Sequence, residues 1–320
     1  MSAAIAFVLS VALMPLAVWL GRAAGMVDRP GPGGLKIHTT PVSVLGGPAA
    51  IVAALAGLGI ADGISVGLLV GVGLAMSVGL VDDVKALPPW PRLALMGLAG
   101  VIAAFGMLSG DAVVTITAGA LLGVACTNAV NIVDGQDGLA GGLACIAALS
   151  MGLTAVVLEL PSVSALGFAA SGGLIGFLLW NRPPARLFLG NGGAYGIGIL
   201  LAAQAIALVA SGVRGFLAAA LCLGPFAFEL TLTAVRRMWR RTSVVVGDRQ
   251  HSYDLLAARI GSRSRSTLVL WAIGALCGGA GVAAAALPLV GGALLAGIGV
   301  IAAITLGLTL LLRTAISSPR

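Results

Sequence analysis

Asn128, Asn131, Asp134 and Asp137 recur at every third residue in a stretch that is otherwise almost wholly apolar. On a helix that spacing lines the four polar side chains along one stripe. Stripping water from a carboxylate is costly unless a cation or hydrogen-bond donors replace it. The comb therefore faces water, a metal or a ligand rather than lipid; the plainer alternative is a polar loop between two helices.

A second acidic pair, Asp82-Asp83, is followed by Lys85 and Pro88-Pro89. Adjacent carboxylates raise each other's cost of ionising, which a divalent cation or a neighbouring base relieves. Mg2+ takes one or two carboxylates together with substrate phosphates. With Arg29, Lys36, Arg182 and Arg186 nearby, Asp82, Asp83, Asp134 and Asp137 suggest phosphoryl chemistry in which a cation neutralises the transferring group. Two further segments qualify as substrate contacts. In Gly190-Asn191-Gly192-Gly193-Ala-Tyr195-Gly196 the glycines allow close backbone approach, and a helix starting there offers free N–H groups to a phosphate. In Asp248-Arg249-Gln250-His251-Ser252-Tyr253-Asp254 the histidine lies off the preceding helix, whereas Arg236, Arg237, Arg240 and Arg241 before it read as a membrane anchor.

The elements that position these residues follow from composition. The chain has 320 residues, 59% hydrophobic and 9% charged, with a mean hydropathy of +1.10. Soluble domains carry roughly 25% charged residues, so this is an integral membrane protein. Continuous apolar runs of about 20 residues predict helices rather than the alternating strands of a barrel. Spans are expected at 2–21, 45–61, 64–81, 92–109, 112–128, 138–158, 163–180, 193–211, 213–235, 267–287 and 289–312. The fold class is therefore an all-α polytopic bundle of about 11 transmembrane helices, forming one domain over residues 1–320.

No basic residue precedes the first run and Arg22 follows it, which reads as an uncleaved span with the N-terminus outside and the C-terminus cytoplasmic. Loops 22–44, 82–91, 129–137, 181–192 and 236–266 then fall inside. With the C-terminal tail and adjoining helix ends they hold 17 of the 18 Lys and Arg, leaving only Arg214 outside. The net charge of +7 is thus a topology signal and not a nucleic-acid surface. Seven acids share the inner face, including both acidic pairs; acids contribute little to topology, so they mark a site. Cys126, Cys145, Cys222 and Cys277 stand singly in apolar runs as small core residues, and two histidines do not make a zinc or haem site. GxxxG spacings such as Gly67/Gly71 let helices pack closely and leave a homodimer open.

The four polar segments, in this order, resemble the polyprenyl-phosphate N-acetylhexosamine-1-phosphate transferases over roughly residues 20 to 260. Asn128-Ala-Val-Asn131-Ile-Val-Asp134-Gly-Gln-Asp137-Gly-Leu is the most specific match, supported by Asp82-Asp83 and by Lys36-Ile-His38 with Pro41 and Gly46-Gly47. Eleven spans look more like the N-acetylglucosamine branch than the peptidoglycan branch. The resemblance implies that a UDP-sugar gives its sugar-1-phosphate to undecaprenyl or decaprenyl phosphate, releasing UMP, with Mg2+ required and Mn2+ as an alternative. It places the protein in the bacterial inner membrane, with the site on the cytoplasmic face. It gives Asp82, Asp83 and Asp134 catalytic roles, Asp82 and Asp83 at the lipid phosphate and Asp82 as a candidate to deprotonate it. Asp134 and Asn191 would hold the metal, and Asn131 would line the metal and diphosphate. Asp137 and Lys36 would meet the nucleotide, with His38, Asn128, Arg249 and His251 as further substrate contacts.

Two departures stand out. Asn191 occupies a position where the family usually has a metal-binding aspartate, and His251 stands alone where the family often has several histidines. Losing one negative charge weakens a Mg2+ site. The alternatives to an active transferase are therefore a weakened relative that binds nucleotide or lipid phosphate, and a transporter or lipid flippase. A transporter places its ionisable residues near the bilayer midplane. Here the carboxylates crowd one face.

Overall fold

Apolar runs long enough to span become helices because hydrocarbon leaves every backbone N–H and C=O to be satisfied within the segment. The computed structural model describes residues 1–30, 40–240 and 250–316. In chain order the elements are α1 (Ser2–Ala23), β1 (Val27–Asp28), β2 (Val42–Ser43), α2 (Gly46–Ala61), α3 (Val66–Val84), α4 (Pro89–Phe105) and α5 (Ala112–Val133). They continue with α6 (Leu139–Val157), α7 (Pro161–Asn181), α8 (Gly190–Ala210), α9 (Val213–Cys222), α10 (Gly224–Trp239), α11 (Ser252–Ile260), α12 (Arg263–Ala286) and α13 (Leu289–Ile316).

The protein is a polytopic membrane helical bundle. Eight helices, α1, α3, α5, α6, α7, α8, α12 and α13, are long and apolar enough to span. α2 and α4, of 16 and 17 residues, are apolar but shorter. The expected span 213–235 is broken instead: α9 and α10 meet at Leu223 with a 67° bend. Gly224-Pro225 explains the break, because proline is tolerated in the first turn of a new helix but not inside an old one. Counting the bent pair once, these units account for the eleven expected segments.

Several boundaries also move. α5 runs to Val133, five residues beyond its expected end, so Asn131 is helical rather than in the expected loop 129–137. α8 starts at Gly190 and α4 at Pro89, both three residues early. The expected inner loop 236–266 contains α11.

α8 is the central post. Some 89% of its span is buried, and it packs against α2, α3, α4, α5, α6, α7 and α9. Its register against α3 is set at Gly79, where an added Cβ would lie 2.3 Å from the Asn191 carbonyl oxygen. β1 and β2 pair antiparallel, Val27 opposite Ser43. Ser43 then accepts a backbone hydrogen bond from Phe188, while Gly46 and Gly47 donate to Phe188 and Leu189. The chain leading into α2 is thereby laced to the chain leading into α8.

Candidate active site at one end of the bundle

The C-terminal ends of α3 and α5 and the N-terminal ends of α8 and α11 converge. α8 begins with Gly190 in the left-handed region (φ +70°), and no side chain of its own turn caps it. Its free N–H groups are met from α3: Asp83 accepts from Asn191 N–H at 2.9 Å and from Gly192 N–H at 3.1 Å, one on each carboxylate oxygen. A helix N-terminus favours such an anion by both hydrogen bonding and dipole.

Asp82 is buried and richly supplied with donors. Its Oδ1 accepts from Leu87 N–H at 2.7 Å. Its Oδ2 accepts from Tyr195 OH at 2.7 Å, Asn191 Nδ2 at 3.3 Å and Arg92 Nη1 at 3.4 Å. Asn191 in turn uses Oδ1 to accept from Asn131 Nδ2 at 2.7 Å.

The comb at the end of α5 contrasts with this pair. The amide nitrogens of Asn128 and Asn131 donate to Val124 O and Asn191 Oδ1, and their amide oxygens meet no donor among the described residues. Asp134 is the C-cap of α5, at φ −77° and ψ 54°. The helix therefore ends before Asp137, which is not the next tooth of a helical stripe as its spacing predicts. Asp137 instead accepts from Ala185 N–H at 3.0 Å, tying this turn to the loop before α8. Half-buried Asp134 receives no protein hydrogen bond among the described residues. Burial first, and the negative charges of Asp83 and Asp137 next, push its pKa up to about 7. A carboxylate crowded by like charges and short of donors, one and two helical turns from amide oxygens left as acceptors, suits a hard divalent cation. Among the described residues no three His, Cys, Asp or Glu side chains gather closely enough to hold a metal by themselves. The oxygen-rich, ligand-poor set is the kind that leaves coordination positions to phosphate and water.

His251 lies behind this comb. Its Nδ1 is 2.9 Å from Glu229 Oε1, and its ring stacks on Tyr253 with centroids 5.1 Å apart. Glu229 also accepts from Ser252 N–H at 3.1 Å and from the Ser252 hydroxyl. Tyr253 OH donates to Ile132 O at 3.0 Å, and Gln136 Nε2 donates to Tyr253 O at 3.1 Å. The α11 segment is thus fastened to the turn that carries Asp134. Tyr195 and Gln136 lie inside segments that the sequence singles out but carry no role there, and Glu229 lies outside them all; its one available signal is that it is a charged side chain in an apolar run. Lys36, His38 and Arg249 lie outside the described residues, and Arg182 and Arg186 are exposed beside the site.

A helical membrane bundle with an acidic, oxygen-rich end defines a class, and comparison with known proteins names it. The family described as Glycosyl transferase family 4 matches residues 65–209, which contain Asp82, Asp83, the whole comb and Asn191. Over that segment, rather less than half of its length, the chain is similar to glycosyl transferase family 4. It is 26% identical over 294 residues to a probable undecaprenyl-phosphate N-acetylglucosaminyl 1-phosphate transferase of Bacillus subtilis, covering 84% of this chain and 81% of that protein. It is 33% identical over 170 residues to the phospho-N-acetylmuramoyl-pentapeptide-transferase of Moorella thermoacetica, covering 51% of this chain and half of that relative. With the enzyme of that name from Listeria welshimeri the identity is 43% over 83 residues, 26% of each chain. The likeness to the N-acetylglucosaminyl relative thus covers more than four-fifths of each chain, and the likeness to the other two about half and about a quarter.

Proposed function

We propose that this protein transfers a sugar-1-phosphate, from a UDP-N-acetylhexosamine, to polyprenyl phosphate at the cytoplasmic face of a bacterial plasma membrane. An oxygen of the lipid phosphate attacks the sugar-bearing phosphorus of the UDP-sugar; the bond to the UMP oxygen breaks, and UMP leaves with the electron pair. The observation that carries this reading is the contrast between the two acidic segments. Asp82 and Asp83 are filled with internal donors, whereas Asp134 and the amide oxygens of Asn128 and Asn131 meet no donor among the described residues.

Asp134 would hold Mg2+, which when bound would neutralise the charge that builds on the two phosphates. The protein's own contribution is placement. Asp83 fixes the start of α8, and Asp137 fixes the turn below Asp134. Arg182 and Arg186 supply positive field at the rim. An anionic phosphate is already a competent nucleophile near neutral pH, so alignment and charge compensation carry the acceleration and no general base is required. Asp82 has all its hydrogen bonds inside the protein and is assigned to position rather than to proton transfer.

The test is incubation of the purified protein with polyprenyl phosphate, Mg2+ and a panel of UDP-sugars, following UMP. Release that needs the lipid and stops on chelation supports the reading and names the sugar, with N-acetylglucosamine expected first. Folded protein that releases no UMP from any UDP-N-acetylhexosamine would refute it.

A further inference from the structure

An amide side chain has a donor end and an acceptor end, so a neighbour that fixes one end fixes the other. Asn191 directs its Nδ2 at Asp82 Oδ2 and therefore offers Oδ1 to Asn131, whose Nδ2 donates to it at 2.7 Å. Asn131 is then committed in the same sense, and its own oxygen is the acceptor left on the comb beside Asp134. Reversing Asn191 would set its oxygen against the Asp82 carboxylate, acceptor to acceptor. The chain of bonds starts at Tyr195, 2% exposed on the next turn of α8, whose hydroxyl holds Asp82 Oδ2 at 2.7 Å. Close packing at Gly79 keeps α3 and α8 in the register the chain needs.

We propose that Asn191 is not itself a ligand of the cation but the middle link of this relay, and that Tyr195 and Asp82 are positioning residues that turn the Asn131 carbonyl oxygen toward the cation site. The inference rests on the cation-assisted transfer proposed above. It gives a physical reason for an amide at position 191: a carboxylate there would face Asp82 with no proton between them, and the relay would break.

The direct-ligand and relay readings differ in sign. If Asn191 binds the cation, Asn191→Asp adds a negative ligand and tightens binding. If it is a link, Asn191→Asp loosens binding, and Asp82→Asn in the same chain restores it by returning a donor opposite the new carboxylate. The experiment reads Mn2+ bound to the detergent-purified full chain by electron paramagnetic resonance, without substrate turnover. We expect N191D to bind at least tenfold more weakly than the parent and D82N/N191D to return within about threefold. N191D binding as tightly as the parent or tighter overturns the relay, and so does a double variant no better than N191D. If N191D fails to fold, the double variant alone decides: binding within threefold of the parent supports the relay, and weaker binding overturns it. Asp134→Asn separates the two levels of the argument, because parent protein that binds no Mn2+, or binds it equally in D134N, overturns the cation site itself.

Discussion

Asp83, near the end of α3, caps a helix that begins 107 residues later: its two carboxylate oxygens accept the N–H groups of Asn191 and Gly192 at the start of α8. This pairing joins the acidic doublet to the glycine-rich turn, and it makes Asp83 part of the frame of the site.

Asp83→Ala leaves two part-buried N–H groups without an acceptor. Net hydrogen bonds to a charged group are worth about 1.5–3 kcal/mol each in favourable cases, and loss of a helix cap costs about 0.5–2 kcal/mol. The variant is expected to lose stability by about 1–3 kcal/mol, with Asp83→Asn nearer the parent because it keeps one acceptor. Thermal unfolding in detergent checks both, and unchanged midpoints would remove Asp83 from the frame.

If Asp134 holds the cation as proposed, it gives the transfer its pH dependence. Its carboxyl, with a pKa near 7, is largely protonated at pH 6, and a cation must displace that proton. The Mg2+ concentration for half activity should therefore fall as pH rises toward 7, by close to tenfold per unit well below it, and level off above. Without metal the sign for stability is the opposite. The pKa is raised on folding, so the contribution is favourable at low pH and is lost as pH rises from about 4 through 7. Asp134→Asn should flatten that slope and reduce UMP release at least a hundredfold. A Mg2+ requirement independent of pH between 6 and 8 would contradict the assignment.

Glu229 holds His251 and the first turn of α11 from below. Glu229→Ala removes the buried acceptor, and the KM for the UDP-sugar should rise about tenfold or more, since a charged buried hydrogen bond is worth roughly 1.5–3 kcal/mol. Glu229→Gln keeps an oxygen toward His251 and should rise less. Equal effects of the two substitutions would indicate a packing role only.

Exposed positions at the two ends test orientation. Cysteine replacing Lys85 or Arg182 should react with an impermeant maleimide only from the cytoplasmic side, and cysteine at Arg214 only from the outside. The native cysteines give little background, three being buried and Cys277 half-buried. Labelling of Arg182→Cys from outside intact cells would invert the topology.

Much of the scaffold is legible in the sequence because a span must be a long apolar run, and the comb is legible because carboxylates are conspicuous in one. Helix ends are harder to read. Gly190 and Pro89 look like breakers and in fact start helices, one capped from α3 and the other by proline's fitness for a first turn. The bend at Leu223 is announced by Gly224-Pro225 but is hidden inside a run of spanning length. Least legible are the donors that decide what each carboxylate does. Asp82 and Asp134 are alike on paper, yet one meets Tyr195 and Asn191 from more than 100 residues away and the other meets no donor within the described chain. Glu229 looks like a stray charge near a membrane face until α11 folds back and brings His251 to it.

The cap between Asp83 and α8 also bears on how the chain is made. A ribosome adds about 5–20 residues each second, so the acidic end of α3 waits on the order of 5–20 s for the N–H groups that will neutralise it. Through that interval four further helices, α4 to α7, must be made while the Asp83 carboxylate at the end of α3 lacks the two N–H groups it will cap. The arrival of α8 closes the frame, and a nascent chain halted before residue 190 keeps the Asp83 carboxylate without the N–H groups of Asn191 and Gly192.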